Sequence, residues 1–312
     1  MTDYNELSQS PSKFLALTGY TVEEFQALLP HFQARFDKYV ETYTLEGQPR
    51  IRRQSASYQN SPLPTIEDKL LFILIYLKQG ATQEMHATLF GMFQPDANAW
   101  IHLLHPLLNQ TLAERGELPV RDAAAFDLEG AVSEEEALEV YFHDGTERPI
   151  PRPTDPDAQK KYYSGKKKQH TVKNIVVIGS QCKILFLTHT CEGKKHDKKA
   201  ADEAGYSLPA DSVLYQDTGF QGFTIAGVTI LQPKKKPRGK ELLPEDKGSN
   251  RLISKIRIRI EHAIGGVKRY RIVKDKIRNW KEDFRDKVME TCCGLHNFRL
   301  NFRPWHYEAL VI

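Results

Sequence analysis

The sequence lacks any apolar run long enough to cross a membrane as a helix. Its longest candidate, LLFILIY at residues 70–76, falls well short of the ~20 apolar residues that such a helix needs. The first ten residues, MTDYNELSQS, contain neither a basic nor an apolar stretch, so we expect no secretory signal. We therefore predict a protein that has no membrane partner.

Cysteine is scarce as well, with four in 312 residues. Four cysteines are too few for a disulfide scaffold, and a reducing cytoplasm is the compartment that we expect. Cys292-Cys293 lies close to His296 in the sequence. A structural zinc site needs four ligands at a workable spacing, so buried helix cysteines are the favoured interpretation of this cluster.

Negative charge is scarce in the second half of the chain. Residues 158–312 hold 32 Lys and Arg against 16 Asp and Glu, a balance of +16, whereas residues 1–157 hold 12 against 24, a balance of −12. A half-chain this basic typically binds a polyanion, because each neutralised phosphate releases condensed counterions. A merely solvated surface would intersperse the two signs more evenly. Nucleic acid is therefore the favoured partner.

Helical patterns dominate the first 120 residues. Thr21 and Glu24 form a capping box ahead of an apolar stripe at Phe25, Leu28, Leu29 and Phe32. Residues 63–112 predict three further helices, which begin at Thr65 or Asp68, after Thr82, and after Pro95-Asp96. Three helices with tight turns suit a helix-turn-helix module. This unit is not basic, so a simple packing bundle is the alternative.

Strand patterns follow an acidic, alanine-rich linker at 121–138. Five strands are predicted at residues 139–144, 170–180, 182–190, 212–217 and 228–233. A long helix with Ser249 as its N-cap comes next, with a buried stripe at Leu252, Ile253, Ile256, Ile260, Ala263, Ile264 and Val267. Strands followed by a covering helix predict a mixed α/β domain over residues 139–312.

Three acidic residues form the candidate site. Asp144 in YFHDGT and Asp217 in YQDTGFQG stand at the ends of predicted strands, where ligands gather in α/β sheets. Glu261 lies beside the buried stripe of the long helix and reaches the same edge if that helix crosses the two strands. Three carboxylates in a basic domain need a cation, and hard oxygen ligands suit Mg²⁺ or Mn²⁺. Turn-forming aspartates and an Arg257–Glu261 salt bridge of about 0.2–0.5 kcal/mol are the alternatives.

Seven motifs occur in order in the second half: DGTERPIPRP, YYSGKKKQHTVKN, GKKHDKKAAD, YQDTGFQG, QPKKKPRGKEL, RIRIEHAIGGVKRYR and GLHNFRL. Together they closely resemble transposases of bacterial insertion sequences in the DDE superfamily. The resemblance runs from about Asp144 to Leu300 and, more weakly, through residues 63–112, where that group carries a helix-turn-helix-like module. Phe220 departs from the tyrosine that relatives often have.

The resemblance implies an RNase-H-like core, here preceded by an all-helical N-terminal region, and metal-dependent DNA cleavage and strand transfer. It implies an acidic triad that maps onto Asp144, Asp217 and Glu261 and binds Mg²⁺ or Mn²⁺, as two ions. The expected partners are double-stranded DNA, as terminal inverted repeats and target, and a second copy of the chain, because synapsis joins two ends. The expected location is the cytoplasm, at the nucleoid. A DNA-binding protein without catalysis and a nuclease without strand transfer are the alternatives.

Four segments follow from these patterns: an N-terminal helical region with a basic arm (1–62), a helix-turn-helix-like module (63–120), the linker (121–138) and an RNase-H-like catalytic domain (139–312). Candidate DNA-contacting residues lie in the basic stretches: Arg50, Arg52, Arg53, Lys166, Lys167, Lys168, His170, Lys234, Lys235, Lys236, Arg238, Lys268, Arg269 and Arg271. A plain loop at 48–60 and a solvated hairpin at 163–170 are the alternatives. Asp197 belongs to the resembling pattern, but it is also a natural N-cap for a helix at 198–205.

Overall fold

The computed structural model describes residues 2–51, 61–129, 139–279, 281 and 283–307. The helices in this part of the chain are α1 (Tyr4–Ser8), α2 (Pro11–Thr18), α3 (Val22–Thr42), α4 (Ile66–Gln79), α5 (Gln83–Phe90), α6 (Gln94–Glu114), α7 (Ala123–Glu129), α8 (Pro156–Tyr162), α9 (Asp197–Ala204), α10 (Pro244–Lys268), α11 (Arg271–Lys274) and α12 (Phe284–Leu300). The strands are β1 (Val140–Pro149), β2 (Tyr163–Ser164), β3 (Gln169–Gly179), β4 (Ile184–Leu187), β5 (Cys191–Glu192), β6 (Val213–Tyr215) and β7 (Thr229–Leu231). They form two compact units.

The first unit is built from helices and contains the chain up to Leu118, with Lys268–Asp275 and Lys287–Phe302. The capping box at the start of α3 is present, since Thr21 Oγ1 accepts from the amide of Glu24 and the Glu24 carboxylate accepts from the amide of Thr21. Helices α4 and α5 begin after Thr65 and Thr82, and α6 begins at Gln94, slightly earlier than expected. The helical predictions for this region are confirmed.

Two histidines are buried inside this first unit. The Nε2 atom of His86 lies 3.1 Å from the carbonyl oxygen of Phe72, and that of His105 lies 3.0 Å from Oγ1 of Thr291. Burial lowers the pKa of His86 from 6.5 to about 4 and that of His105 to about 3. Both imidazoles are therefore neutral in the folded unit at neutral pH, whereas the unfolded chain takes up protons below about pH 6.5.

We expect the free energy of unfolding to fall as the pH is lowered from about 7.5 to about 5.5. Above about pH 6.5 both the folded and the unfolded chain hold neutral histidines, so neither histidine lowers the free energy of unfolding. As the pH falls below about 6.5, only the unfolded chain binds protons at these histidines, and the free energy of unfolding falls. Over this window the loss is roughly 1.4 kcal/mol for each histidine. Urea unfolding followed by circular dichroism measures it. His86→Gln and His105→Gln should each flatten the pH dependence, and His31→Gln, at an exposed position of α3, should leave it unchanged.

The second unit contains a mixed sheet and spans Pro119–Val267 and Lys276–Asp286, together with residues from Arg303 onward. Strand β3 pairs antiparallel with β1 on one side and with β4 and β5 on the other. Strand β6 then adds parallel to β1, and β7 adds parallel to β6. An antiparallel meander extended by two parallel strands is the arrangement of an RNase-H-like sheet. The predicted α/β fold class is therefore confirmed.

The two faces of this sheet carry different elements. On one face α9 and the loops around β6 cover a cluster of buried side chains: Phe126, Tyr141, Ile175, Val177, Phe186, Ala200, Ala201, Tyr206, Leu208, Leu214, Phe220 and Phe223. Helix α10 is tied to the turn between β3 and β4, where the Cys182 thiol donates to the carbonyl oxygen of Arg259 over 3.4 Å. The predicted hairpin at residues 179–181 forms this turn.

Helix α10 differs from the prediction in its start and in its buried face. It begins at Pro244 rather than after Ser249, because proline suits the first helical position and Glu245 and Asp246 place negative charge in the first turn. The predicted apolar stripe is fully buried only at Ile260, Ala263 and Val267, whereas Leu252 is 64% exposed. The first half of the helix is held by polar contacts to the loop after β7, such as Asn250 to the backbone of Lys234.

No helix in the described ranges is long and apolar enough to span a membrane. This agrees with the short apolar runs of the sequence. Residues 130–138 of the predicted linker lie outside the described residues. The part of that linker that is described contains the short helix α7.

Candidate active site

Asp144 and Asp217 lie side by side on neighbouring parallel strands. Strands β1 and β6 are parallel neighbours, and the last residue pair in their register is Phe142 with Tyr215. Each aspartate comes two residues after that pair, so the two side chains project from matching positions. Each carboxylate also accepts a hydrogen bond of 2.7 Å from the backbone amide that follows it, at Gly145 and at Thr218. The two predicted site residues are thus brought together.

The residues immediately before the two aspartates fix the face on which the carboxylates lie. The His143 imidazole is 3.0 Å from the Gln216 amide oxygen and stacks on the Phe220 ring at 3.9 Å, inside the apolar cluster. Successive side chains on a strand point to opposite faces, so Asp144 and Asp217 face away from that cluster. Burial lowers the pKa of His143 to about 3, which keeps this ring neutral. Sequence analysis missed this pair, although strand alternation identifies both positions.

The prediction that Asp144 ends its strand is wrong. Strand β1 continues through Gly145 and Thr146 to Pro149, because β3 is long enough to pair with it over that whole stretch. Only the pairing with the short strand β6 stops, at Phe142. Asp144 therefore lies where β1 has one strand neighbour instead of two.

The Arg257 side chain of α10 lies between the two aspartates. Its Nη2 atom is 3.9 Å from Oδ2 of Asp144, and its Nη1 atom is 3.7 Å from Oδ1 of Asp217. The guanidinium is largely buried, with 9% of the side chain exposed. The Arg257–Glu261 salt bridge, the alternative role for these two residues, is absent from the ion pairs of the described residues. Arg257 is the counter-ion of the aspartates instead.

Burial and charge set the ionisation of Asp144. The pKa of this carboxyl is raised to about 6, mainly by burial and to a smaller extent by the neighbouring carboxylates of Asp217 and Asp197. The Arg257 guanidinium and the amide of Gly145 act on the pKa in the opposite direction and lower it. A cation placed between the aspartates therefore stabilises the ionised form of a carboxyl that burial alone would leave protonated.

Glu261 lies one helical turn after Arg257 on α10, and its side chain is exposed. Within the described part of the chain, no group of three or more His, Cys, Asp or Glu side chains converges as a metal site. Glu261 is therefore not joined to the aspartate pair in this structure. Its metal-binding role remains a prediction. The cluster Cys292-Cys293 and His296 is buried in α12.

The candidate DNA-contacting residues of the second unit lie on two exposed loops and at the start of β3. Lys166, Lys167 and Lys168 form the turn of the hairpin between β2 and β3, and no ion pair to them occurs within the described ranges. His170, partly buried, follows in β3. On the loop after β7, Lys235 and Arg238 are exposed, while two lysines are paired, Lys234 with Asp246 and Lys236 with Glu241.

Three of the described candidate DNA-contacting residues of the first unit are less exposed than the lysines of the β2–β3 turn, and several contact other residues of the protein. Arg269 is half-buried and its carbonyl oxygen accepts from Nζ of Lys78, and Arg271 pairs with Asp275 at 2.8 Å. Lys268 is half-buried at the end of α10. Arg50 is half-buried too, with Nε donating to the carbonyl oxygen of Tyr43. Arg52 and Arg53 lie outside the described residues.

The predicted helix-turn-helix module offers little positive charge. Residues 63–112 contain only two basic side chains besides histidine, Lys69 and Lys78. The Lys69 ammonium donates to the carbonyl oxygen of Leu63 at 2.6 Å, and burial lowers its pKa to about 8. The Lys78 ammonium donates to Arg269. Both ammonium groups donate hydrogen bonds to backbone carbonyl oxygens within the first unit. Apart from its histidines, the segment 63–112 therefore has only uncharged groups left for contact with phosphates.

Comparison with known proteins now identifies the family. Residues 143–297 match the family model described as DDE superfamily endonuclease, and residues 61–114 match the helix-turn-helix of DDE superfamily endonuclease. The two models together cover about two thirds of the chain. The chain belongs to the DDE superfamily of insertion-sequence transposases. The first of these two segments contains the aspartate pair, Arg257 and Glu261.

Two curated relatives agree with this family. The chain is 32% identical over 159 residues to a probable transposase for insertion sequence element IS702 of Microchaete diplosiphon, a match that covers 50% of this chain and only 56% of that relative. It is 26% identical over 282 residues to a putative transposase for insertion sequence element IS112 of Streptomyces albus G, which covers 89% of this chain and 94% of that relative. No solved structure matches the chain.

Proposed function

We propose that this chain is a transposase that binds the terminal inverted repeats of its own element, cleaves phosphodiester bonds to expose 3′-hydroxyls, and joins these to target DNA. The observation that carries the proposal is the aspartate pair. Asp144 within β1 and Asp217 just after β6 occupy matching positions on neighbouring strands and lie close to the same buried cation, Arg257. The family match and the two relatives named as transposases support the same activity.

The donor set fits a hard divalent cation. Two carboxylates approach one positive charge, and burial makes the ionised form of Asp144 costly without it. Asp144, Asp217 and Glu261 are the residues that would hold Mg²⁺ or Mn²⁺ in this proposal. The chemistry that two such ions supply is activation of the attacking oxygen and stabilisation of the leaving oxygen.

The chain's own cations have two roles in this proposal. Arg257 offsets the negative charge of the aspartate pair and favours the close approach of its two carboxylates. The exposed lysines of the β2–β3 turn and the basic loop at 234–238 hold DNA phosphates. The arm that includes Arg50, Arg52 and Arg53 contributes to recognition of the repeat sequence, since both lysines of residues 63–112 are already engaged. Two bound ends require a dimer or a larger assembly.

The test uses a supercoiled plasmid that carries the inverted repeats found beside the gene, incubated with the full chain. We expect cleavage at the repeat ends in Mg²⁺ or Mn²⁺, none in EDTA, and recovery of molecules joined to a target. Scrambled ends provide the control. Cleavage without joined products would identify a nuclease. Binding without cleavage in either metal would identify a DNA-binding protein that has lost catalysis.

A further inference from the structure

The carboxylate of Asp197 lies against the backbone beside both aspartates of the site. Asp197 is the first residue of α9, and no family or relative assigns it a role. We propose that Asp197 is a positioning residue that sets the separation of the Asp144 and Asp217 main chains, an inference that rests on the proposed metal-dependent function. The glycines at 145 and 219 provide the space into which its carboxylate fits.

The Asp197 side chain is what a Cβ atom added at either glycine would meet first. A Cβ atom at Gly145 would lie 2.7 Å from Oδ1 and 2.9 Å from Cγ of Asp197, closer than real Cβ contacts. A Cβ atom at Gly219 would lie 3.1 Å from Oδ2 of the same side chain. Neither glycine has a positive φ, so the backbone conformation itself does not require glycine at either position. The requirement comes from the Asp197 carboxylate.

Lys173 of β3 holds that carboxylate in place. The Lys173 ammonium is 2.7 Å from Oδ1 of Asp197, donates to the carbonyl oxygen of Lys195 at 2.6 Å, and lies 3.8 Å from Oε1 of Glu147. Only 6% of the Lys173 side chain and 21% of the Asp197 side chain are exposed. An ion pair that is largely shielded from water restricts both partners more than a surface pair does. The Asp197 carboxylate therefore has a rigid support in the sheet.

The sequence predicted Asp197 as a natural N-cap of a helix at 198–205, and the structure does not support that role. His196, not Asp197, is the N-cap residue of α9, and it makes no side-chain capping bond. A catalytic role would require the carboxylate to reach the substrate or a metal. The carboxylate instead pairs with Lys173. Asp197 thus acts through the positions of Asp144 and Asp217.

The experiment measures Mn²⁺ affinity of the full chain by titration calorimetry, with melting temperature recorded for each variant. Gly145→Ala should weaken Mn²⁺ binding by about tenfold or more, because its side chain and the Asp197 carboxylate compete for one space. Asp197→Ala should also weaken binding. The double variant Gly145→Ala/Asp197→Ala should recover most of the affinity that Gly145→Ala removes, because the methyl group then fills the vacated space. Gly165→Ala, where a Cβ meets nothing within 4 Å, is the matched control.

The outcomes separate this inference from the proposed function. If the wild-type chain binds no Mn²⁺, or if Asp144→Asn does not reduce binding, the proposed metal site itself is wrong. If the wild type binds Mn²⁺ and both Gly145→Ala and Asp197→Ala bind it with the wild-type affinity, Asp197 is not a positioning residue. A lower melting temperature with unchanged Mn²⁺ affinity also overturns the inference, since it shows only a structural role. Gly219→Ala, whose contact is less severe at 3.1 Å, decides the matter if Gly145→Ala does not fold.

Discussion

Asp144→Asn and Asp217→Asn are each expected to lower the rate of DNA cleavage by at least about 10³-fold, because the activation that bound metal supplies amounts to several kcal/mol. An amide keeps the shape of the carboxylate but removes the charge that binds the cation. DNA affinity should be unchanged or higher in both variants, since each loses a negative charge close to the phosphates. Cleavage of end-labelled duplexes and binding by anisotropy measure the two quantities separately.

Glu261→Gln should behave in the same way if this exposed side chain completes the site. Its matched control is Glu245→Gln, at an exposed position on the same helix, and the control for the aspartates is Asp211→Asn, exposed just before β6. Both controls should cleave at the wild-type rate. Full cleavage by Glu261→Gln would remove that residue from the proposed site and leave Asp144 and Asp217 as its proposed acids.

The sequence predicted local features well when a signal and its partner lie a few residues apart. Thr21 and Glu24 are three residues apart, and the helix they begin is present. The pairing of Asp144 with Asp217 was also predictable, since adjacent parallel strands in one register place equivalent positions side by side. The extent of β1 was not predictable from its own residues, because it depends on the length of its partner strand β3.

The contacts of the site that sequence analysis missed are all long-range. The alternative role for Arg257 was a salt bridge with Glu261, because the two residues are one helical turn apart. The orientation of α10 over the sheet directs the guanidinium to Asp144 and Asp217 instead. Asp197 carried a plausible local signal as an N-cap. A lysine 24 residues earlier in the chain offers an ion pair that outcompetes a capping hydrogen bond. The glycines that follow the two aspartates, Gly145 and Gly219, are the sequence signal that points to such an arrangement.

The three exposed lysines of the β2–β3 turn should account for much of the DNA affinity. Replacing Lys166, Lys167 and Lys168 together by Ala is expected to weaken binding to inverted-repeat DNA and to random DNA alike, because phosphate contacts carry no sequence information. The slope of log affinity against log salt should fall by about 0.9 for each phosphate that is no longer neutralised, and thus by up to about 2.7. Titrations at several salt concentrations, on repeat and scrambled duplexes, measure both effects.

The matched control removes three lysines from the same unit that already have carboxylate partners: Lys160, Lys198 and Lys199, which pair with Asp157, Asp202 and Glu203. This variant changes net charge by the same amount, so a general loss of positive charge would weaken both variants equally. A larger change of slope in the turn variant than in the control locates the phosphates at the β2–β3 turn. An unchanged slope would make those three lysines a solvated hairpin, and the main DNA surface would then have to include the basic loop with Lys235 and Arg238.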